Sequence, residues 1–322
     1  MSGSSPGRRG CAAGPVRLKD STLREGADTP GVAFSEADKL TVLRLLAGAG
    51  VPEAEIVAPG HFRRDLAFCA AVRREGLPIE TSGLVYAGGE DARAQIEAAA
   101  AHLDRLNLLV PLSERRRPPG REEKLRKIAE ALAWARSCCD QVGVGFPHAT
   151  QAGLGFLLEA CEAGARGGAR RVVVYDTNGS ADPFQVYDTV RAVVEHVPLE
   201  VCFHGHNDLG LATANSLAAA LAGAQCLEVT VNGLGDRAGN ASLEQVALAL
   251  HARGVAHGVE LSRLPALCGA VAAMAGLPVP GLAPVVGAFA FVHKSPSHLD
   301  VPDLFEAFDP GLVGARRSVA RD

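Results

Sequence analysis

Leu199-Glu200-Val201-Cys202-Phe203-His204-Gly205-His206-Asn207-Asp208 is an apolar run that ends in two histidines. The run reads as a buried β-strand. Side chains two apart on a strand point to the same face, so His204 and His206 leave its end on one side. Gly205 puts no side chain between them. A strand end of this kind offers two ring nitrogens to one divalent metal. Two polar residues closing a strand are the simpler alternative. The Asn207-Asp208-Leu209-Gly210 turn that follows favours the metal site.

Outward from this strand, strand-like and helix-like runs alternate from residue 16 to residue 254. Strands are expected at 16–20, 55–58, 81–85, 106–110, 142–146, 172–175, 201–203 and 227–231, each followed by an Ala-rich amphipathic run. The first helix, 35–49, starts at a capping Ser35 and keeps Leu40, Val42, Leu43 and Leu46 at helical spacing. The second is expected at 61–75. Eight β-then-α units in roughly 240 residues predict an α/β protein, a (β/α)8 TIM barrel. A doubly wound open sheet would want a Gly-rich phosphate loop after its first strand, and Thr22-Leu23-Arg24-Glu25-Gly26 is not one.

The barrel is expected over 16–256. Residues 1–15 are rich in Gly, Ser and Arg with no apolar leader core, and read as a disordered tail. Residues 257–322 form a C-terminal helical and extended appendage, with a helix at 262–275, prolines Pro278, Pro280 and Pro284, and a segment 285–314 bearing His293, Lys294 and His298. A segment of about 30 residues cannot build its own core, so it packs on the barrel or on a second subunit.

The chain has 322 residues, 48% hydrophobic and 21% charged, which suits a globular protein with a large core. A formal net charge of -4 gives no case for nucleic acid or an anionic membrane surface. No apolar run is long enough to span a bilayer. The 8 cysteines show no C-x-x-C spacing and read as core thiols in a reducing cytoplasm.

Barrel chemistry collects at the C-terminal ends of the strands. Arg24 and Glu25 follow the first strand, Glu55 lies in the second, Thr177 ends the sixth, and Asn240 lies beyond the eighth. Glu25 is the best carboxylate for the metal; the alternative is a surface acid paired with Arg24. Asn240 is a neutral oxygen ligand or the N-cap of a helix over 241–254. Two histidines and one carboxylate leave open positions, as a catalytic site requires. Mixed nitrogen and oxygen ligands do not choose among Mg2+, Mn2+ and Zn2+. Arg24 suits a substrate carboxylate or an enolate oxygen, with Glu55 orienting it. Thr177 is a donor to a substrate carboxylate or a plain turn residue. The run Glu114-Arg115-Arg116-Arg117 reads as a solvated loop, with nucleotide phosphates as the alternative partner.

Three stretches carry a resemblance. Asp20-Ser21-Thr22-Leu23-Arg24-Glu25-Gly26, His204-Gly205-His206-Asn207-Asp208-Leu209-Gly210-Leu211-Ala212 and Gly233-Leu234-Gly235-Asp236-Arg237-Ala238-Gly239-Asn240-Ala241 are similar to the homocitrate synthase/2-isopropylmalate synthase family. More broadly they resemble the DRE-TIM metallolyase superfamily, which includes 3-hydroxy-3-methylglutaryl-CoA lyase. The resemblance implies a metal held by Glu25, His204 and His206 with Asn240 nearby. It implies that Arg24 and Thr177 bind a 2-oxo acid, and that acetyl-CoA is the second substrate. It implies a Claisen-type condensation with thioester hydrolysis, and a homodimer in which a tail histidine crosses to the neighbour as base. Here that histidine is His298, in Ser295-Pro296-Ser297-His298. Loop residues Asp236-Arg237 stand where the lyases carry a cysteine.

Four positions depart from the family pattern. Pro147-His148-Ala149-Thr150-Gln151 replaces an acidic segment, Phe305 stands for a tyrosine, Tyr86 for an arginine, and Ala27-Asp28 for Glu-Gln. His148 is the candidate replacement for the lost acid and an alternative base. An unusual 2-oxo acid or acyl partner is therefore expected. A chain ending at residue 322 leaves no room for a leucine-sensing C-terminal domain, so feedback of that kind is not expected. The rival readings are a carbon–carbon lyase or aldolase using the same metal, a degenerate binding protein, and a metal-dependent hydrolase.

Overall fold

The computed structural model describes residues 14–57, 62–88, 91–112 and 120–320. Ala58, the tail before residue 14 and the run Glu114-Arg115-Arg116-Arg117 lie outside these residues. Eight strands form a closed barrel in chain order: β1 (Arg17–Asp20), β2 (Glu53–Val57), β3 (Glu80–Tyr86), β4 (Arg105–Leu109), β5 (Val142–Phe146), β6 (Arg171–Asp176), β7 (Glu200–Gly205) and β8 (Cys226–Val229). All pairs are parallel, and β8 closes on β1 with Cys226 opposite Arg17. The outer ring is α1 (Glu36–Gly48), α2 (Phe62–Glu75), α3 (Ala92–Ala100), α4 (Arg121–Cys138), α5 (Leu154–Arg166), α6 (Pro183–His196), α7 (Ala212–Leu221) and α8 (Leu243–Ala252). Parallel strands covered on both faces tolerate continuous apolar runs, and Val172, Val173 and Val174 are all fully buried. Helix α1 starts as its sequence predicts. The Ser35 hydroxyl accepts from the Asp38 amide at 3.2 Å, and the Asp38 carboxylate accepts from the Ser35 amide at 2.9 Å.

Strand β2 starts at Glu53, earlier than its apolar residues announce. A charged strand start is unreadable as strand until its partners are known. Arg17, Glu53, Glu80, Arg105, Arg171 and Glu200 are each the first residue of a strand, and they close the N-terminal end of the barrel. Arg171 is fully buried and donates to both Glu53 oxygens at 2.8 and 2.8 Å and to Glu200 at 2.8 and 3.1 Å. Burial alone would raise the Glu53 carboxyl; the Arg171 guanidinium overrides it and holds Glu53 at about 2. Breaking a buried pair from one side strands the other charge. Arg171→Ala should therefore lower unfolding free energy by about 3–5 kcal/mol. Urea denaturation followed by circular dichroism checks this.

Helix α9 (Leu264–Ala275) packs on α1. Beyond it, β9 (Val292–His293) pairs with β10 (Ser318–Val319) across a short helix, α10 (Pro296–Leu299). Val285 and Val313 are buried in the main core, and Phe291, Phe308 and Leu312 pack against it. The segment 285–314 therefore shares the main core of its own chain, with Pro310–Val313 packed on Leu261–Arg263. Cys69, Cys161, Cys202, Cys226 and Cys268 are buried and free, while Cys138 and Cys139 are half-buried. Among the described residues, no helix is long and apolar enough to cross a membrane.

Candidate metal centre

The turn after β1 is wound tightly. The Ser21 carbonyl accepts from the amides of Arg24, Glu25 and Gly26 at 3.1, 2.8 and 3.2 Å. The Asp20 carboxylate accepts from the Thr22 amide and hydroxyl, both at 2.9 Å. Burial pushes the Asp20 carboxyl up to about 7, and the Thr22 bonds only partly offset this. The Thr22 hydroxyl oxygen also accepts from the Val231 amide at 2.8 Å, which ties the turn to the end of β8. At Gly26 a Cβ would lie 3.2 Å from the Leu234 Cβ, so a larger residue would push the two loops apart. This turn delivers Arg24 and Glu25 into the barrel mouth.

There Glu25 meets the histidines from the end of β7. One ligand atom from each of Glu25, His204 and His206 lies within 4.8 Å of the others, and all three residues are buried. His206 Nε2 is 3.4 Å from Glu25 Oε1. His204 Nδ1 donates to Glu228 Oε1 at 3.0 Å. Burial alone would raise Glu228, but Lys19, His204 and Arg24 hold it well below the usual carboxylate range. Glu228 is therefore ionised and only accepts, so His204 donates to it through Nδ1. His206 is depressed to about 3, first by burial, then by the charges of His204, Arg237 and Arg24. Its ring is neutral, as a ligand must be.

Asn240 faces the same end of β7 through a bridge to His206. Its amide nitrogen donates to the Leu234 carbonyl at 3.0 Å, and its Oδ1 is buried with no hydrogen-bond partner, as is His206 Nδ1. Gly235 leaves room for this amide: a Cβ there would lie 2.1 Å from Asn240 Nδ2. The N-cap alternative for Asn240 is corrected, because α8 begins at Leu243 and Ser242 holds the cap position. Two imidazoles, one carboxylate and an unpartnered amide oxygen fit a divalent cation.

Below the three residues runs a buried charge network. Lys19 Nζ donates to Glu55 at 2.6 Å and to Glu228 at 2.9 Å. Arg24 Nε donates to Glu55 at 2.7 Å, and its other nitrogens bond Glu228 and Glu25. Asn107 adds a bond to Glu55 at 3.1 Å. Glu55 thus bonds Arg24 within a larger set. Lys19 and Glu228 were readable by the argument that singled out Glu55: a lone charge in an apolar strand is costly unless paired.

The HMGL-like family model matches residues 15–271. The chain belongs to the HMGL-like family, together with the 2-isopropylmalate and homocitrate synthases. This HMGL-like chain is 33% identical to 2-isopropylmalate synthase 2 of Caldanaerobacter subterraneus subsp. tengcongensis, over 95% of its own length and 81% of that protein. It is 34% identical to homocitrate synthase 1 of Nostoc sp., over 94% of its own length and 82% of that protein. Its fold is similar to the crystal structure of hydroxymethylglutaryl-CoA lyase from Pseudomonas aeruginosa, with a TM-score of 0.70 at 20% identity, covering 83% of this chain and 95% of that one.

In this HMGL-like barrel, Thr177 is half-buried and its hydroxyl oxygen accepts from the His148 amide at 2.8 Å. Its carbonyl accepts from Arg237 at 2.8 Å, and Arg237 also holds Asp208 at 2.8 and 2.9 Å. These bonds join the loops that follow β5, β6, β7 and β8. His148 takes the left-handed region, φ 64°. Thr150 and Gln151, in the segment that replaces the family's acids, bond Asp176 at 2.8 and 3.2 Å. Tyr86, at the end of β3, is exposed. His298 has other partners. It stacks on Phe305 with ring centroids 3.8 Å apart and sits 3.5 Å from His293, whose Nε2 is 2.9 Å from Glu306. These partners all belong to the appendage.

The depressed His206 has a consequence for the metal-free chain. Its folded pKa lies below the ordinary 6.5, so its contribution to stability is present above about 6.5 and is lost as pH falls toward about 3. Between pH 6.5 and 5 the loss amounts to about 2 kcal/mol. His206→Asn removes that loss. Thermal melts in chelator should show the variant gaining on the parent at pH 5 relative to pH 7.

Proposed function

We propose that this chain is a metal-dependent acyltransferase that condenses acetyl-CoA, or a related acyl-CoA, with a 2-oxo acid. The observation that carries this is the convergence of Glu25, His204 and His206 at the mouth of a barrel one-third identical to acyl-condensing synthases over nearly its whole length. The base takes a proton from the carbon next to the thioester carbonyl, that carbon bonds the keto carbon as the C=O π bond breaks and its oxygen takes up a proton, and water cleaves the thioester to a carboxylate and the CoA thiol. The products are CoA and a 2-hydroxy-2-alkyl diacid.

Glu25, His204 Nε2 and His206 would hold the cation, with Asn240 Oδ1 beside them. Mg2+, Mn2+ or Zn2+ bound there supplies Lewis acidity that polarises the keto oxygen. Arg24 presents a charge fixed by Glu55 and Glu228, which suits the oxo acid's carboxylate or the enolate oxygen. The Thr177 hydroxyl already accepts the His148 amide, so its own proton is free for a substrate carboxylate. The base is a histidine: His148 at the mouth, or His298 delivered by a second copy in a homodimer. On this reading the barrel over 16–256 carries the metal and the oxo acid, the appendage over 257–322 carries His298, and a reducing cytoplasm suits the free thiols.

A thiol-release assay with acetyl-CoA, Mg2+ or Mn2+ and a panel of 2-oxo acids tests the function. Oxo-acid-dependent CoA release supports it. No release with any oxo acid, alongside cleavage of a 3-hydroxyacyl-CoA, would move the site to the lyase reading. The base is the histidine whose alanine variant, His148→Ala or His298→Ala, loses turnover while keeping its metal. Full turnover in both variants would sink the assignment.

A further inference from the structure

Arg171, Val173 and Tyr175 alternate along β6 and so face one way. Arg171 reaches Glu53 of β2 across the barrel floor, so that face is the inside of the barrel. Val173 and Tyr175 continue it upward and join Leu109 and Cys202 in a small interior cluster separate from the main core. Tyr175 stands next to the end of its strand, at the mouth. Its register partner on β7 is His204, and the two rings lie 4.8 Å apart between centroids at an interplanar angle of 44°. Strand β5 makes room for it. A Cβ at Gly145 would lie 2.6 Å from Tyr175 Cε2, so the tyrosine ring stands where a side chain at 145 would.

The hydroxyl this ring carries is unpaired. Tyr175 is 5% exposed, and its Oη is buried with no hydrogen-bond partner among the described residues. Buried tyrosine hydroxyls ordinarily find a partner. Glu55 and Glu228 bond Lys19 and Arg24, and Glu228 also bonds His204, but neither bonds the phenol. Burial pushes the phenol well above its ordinary value; the Glu228 and Glu55 carboxylates add to this, and Arg24 opposes it. The phenol is therefore a proton-bearing donor in a dry site, without an acceptor. Phenylalanine would fill the same space and leave no polar atom unpaired.

We propose that Tyr175 is a further catalytic residue, whose hydroxyl donates to the keto oxygen of the 2-oxo acid. The inference rests on the proposed condensation and adds a residue to it. The keto oxygen is the substrate atom that the cation would polarise, and the ring contact with His204 puts Tyr175 beside the cation's ligands. The acid's carboxylate already has Thr177 and Arg24 to receive it. As the C–C bond forms, the keto oxygen takes on negative charge. A fixed donor in a water-excluded site stabilises that charge most. No proton has to leave the phenol; the hydrogen bond alone acts.

Tyr175→Phe keeps the ring and removes only the hydroxyl. CoA release is measured with acetyl-CoA, Mg2+ and pyruvate, 2-oxoisovalerate or 2-oxoglutarate. The variant should lose about 100-fold in kcat, with KM for the oxo acid within about 3-fold of the parent and metal content unchanged. A kcat within about 2-fold of the parent means the ring only packs, and overturns the inference while leaving the condensation standing. A raised KM at unchanged kcat puts the hydroxyl on the carboxylate, and loss of metal makes Tyr175 a support for His204; either result overturns it too. A second readout needs no turnover. The chain has 3 tyrosines, so protein labelled with carbon-13 at tyrosine Cζ gives one resonance for each, and the one missing from Tyr175→Phe is Tyr175. That resonance should shift when the best of the three acids is added to Mg2+-loaded protein without acetyl-CoA. A resonance that stays in place overturns the inference. No CoA release by the parent with any of the three acids removes the condensation itself, and the inference with it.

Discussion

On the proposed ligand set, His206→Ala should cost the protein its divalent cation and about 1000-fold in kcat/KM, which corresponds to roughly 4 kcal/mol of transition-state stabilisation. The size follows from what the ring does. His206 is one of three ligand groups gathered within 4.8 Å, and burial and neighbouring cations keep it neutral and ready to coordinate. With the imidazole gone, Glu25 and His204 remain beside Arg24, a cation that repels metal and already bonds Glu25. Glu25→Gln should fail in the same way, since an amide cannot neutralise the ion. Metal content measured by plasma emission, together with the thiol-release assay, checks both variants. A variant that keeps a full equivalent of metal and its turnover would contradict the assignment of that side chain.

Glu228→Gln is the second large effect, and it has two separable parts. The buried carboxylate serves Lys19, Arg24 and His204 at once. An amide keeps the shape and removes the charge, so two buried cations lose a partner. Loss of one side of such a pair costs about 3–5 kcal/mol. The same change removes the acceptor that fixes the proton on His204 Nδ1, and metal affinity should fall about 10–100-fold. Urea denaturation in chelator reads the first part, and metal titration reads the second. Lys19→Met combined with Glu228→Gln should regain part of the stability and none of the metal affinity, because Lys19 touches the network and not the ligand ring. Stability within about 1 kcal/mol of the parent would show the network to be well hydrated in solution.

The barrel was legible because its signals are local. Apolar runs of strand length, Ser35 before a helical period, and histidines two apart after Phe203 all state their structure in short windows. The convergence of Glu25 with His204 and His206 followed from the barrel rule alone, since Glu25 and His204 are 179 apart in sequence with no local hint between them. What escaped is long-range pairing of charges. Lys19 and Glu228 are 209 apart in sequence, and Glu53 and Arg171 are 118 apart. Each reads alone as an oddly charged strand residue, and only closure of β1 on β8, or the strand starts meeting across the barrel floor, explains it. Asn240 was left between ligand and helix cap because one residue type serves both; the helix starting at Leu243 separated them. The tail was least legible. His298 carries its motif position in the sequence, yet its partners in the chain are Phe305 and His293.

Crystals grown with Mn2+ and measured for anomalous scattering put the central claim to its most direct test. The account predicts one strong peak at the C-terminal mouth of the barrel, about 2.0–2.3 Å from a Glu25 oxygen and from a ring nitrogen of both His204 and His206. A peak bound elsewhere, or a mouth that stays empty in Mn2+ while the protein turns over substrate, would contradict it.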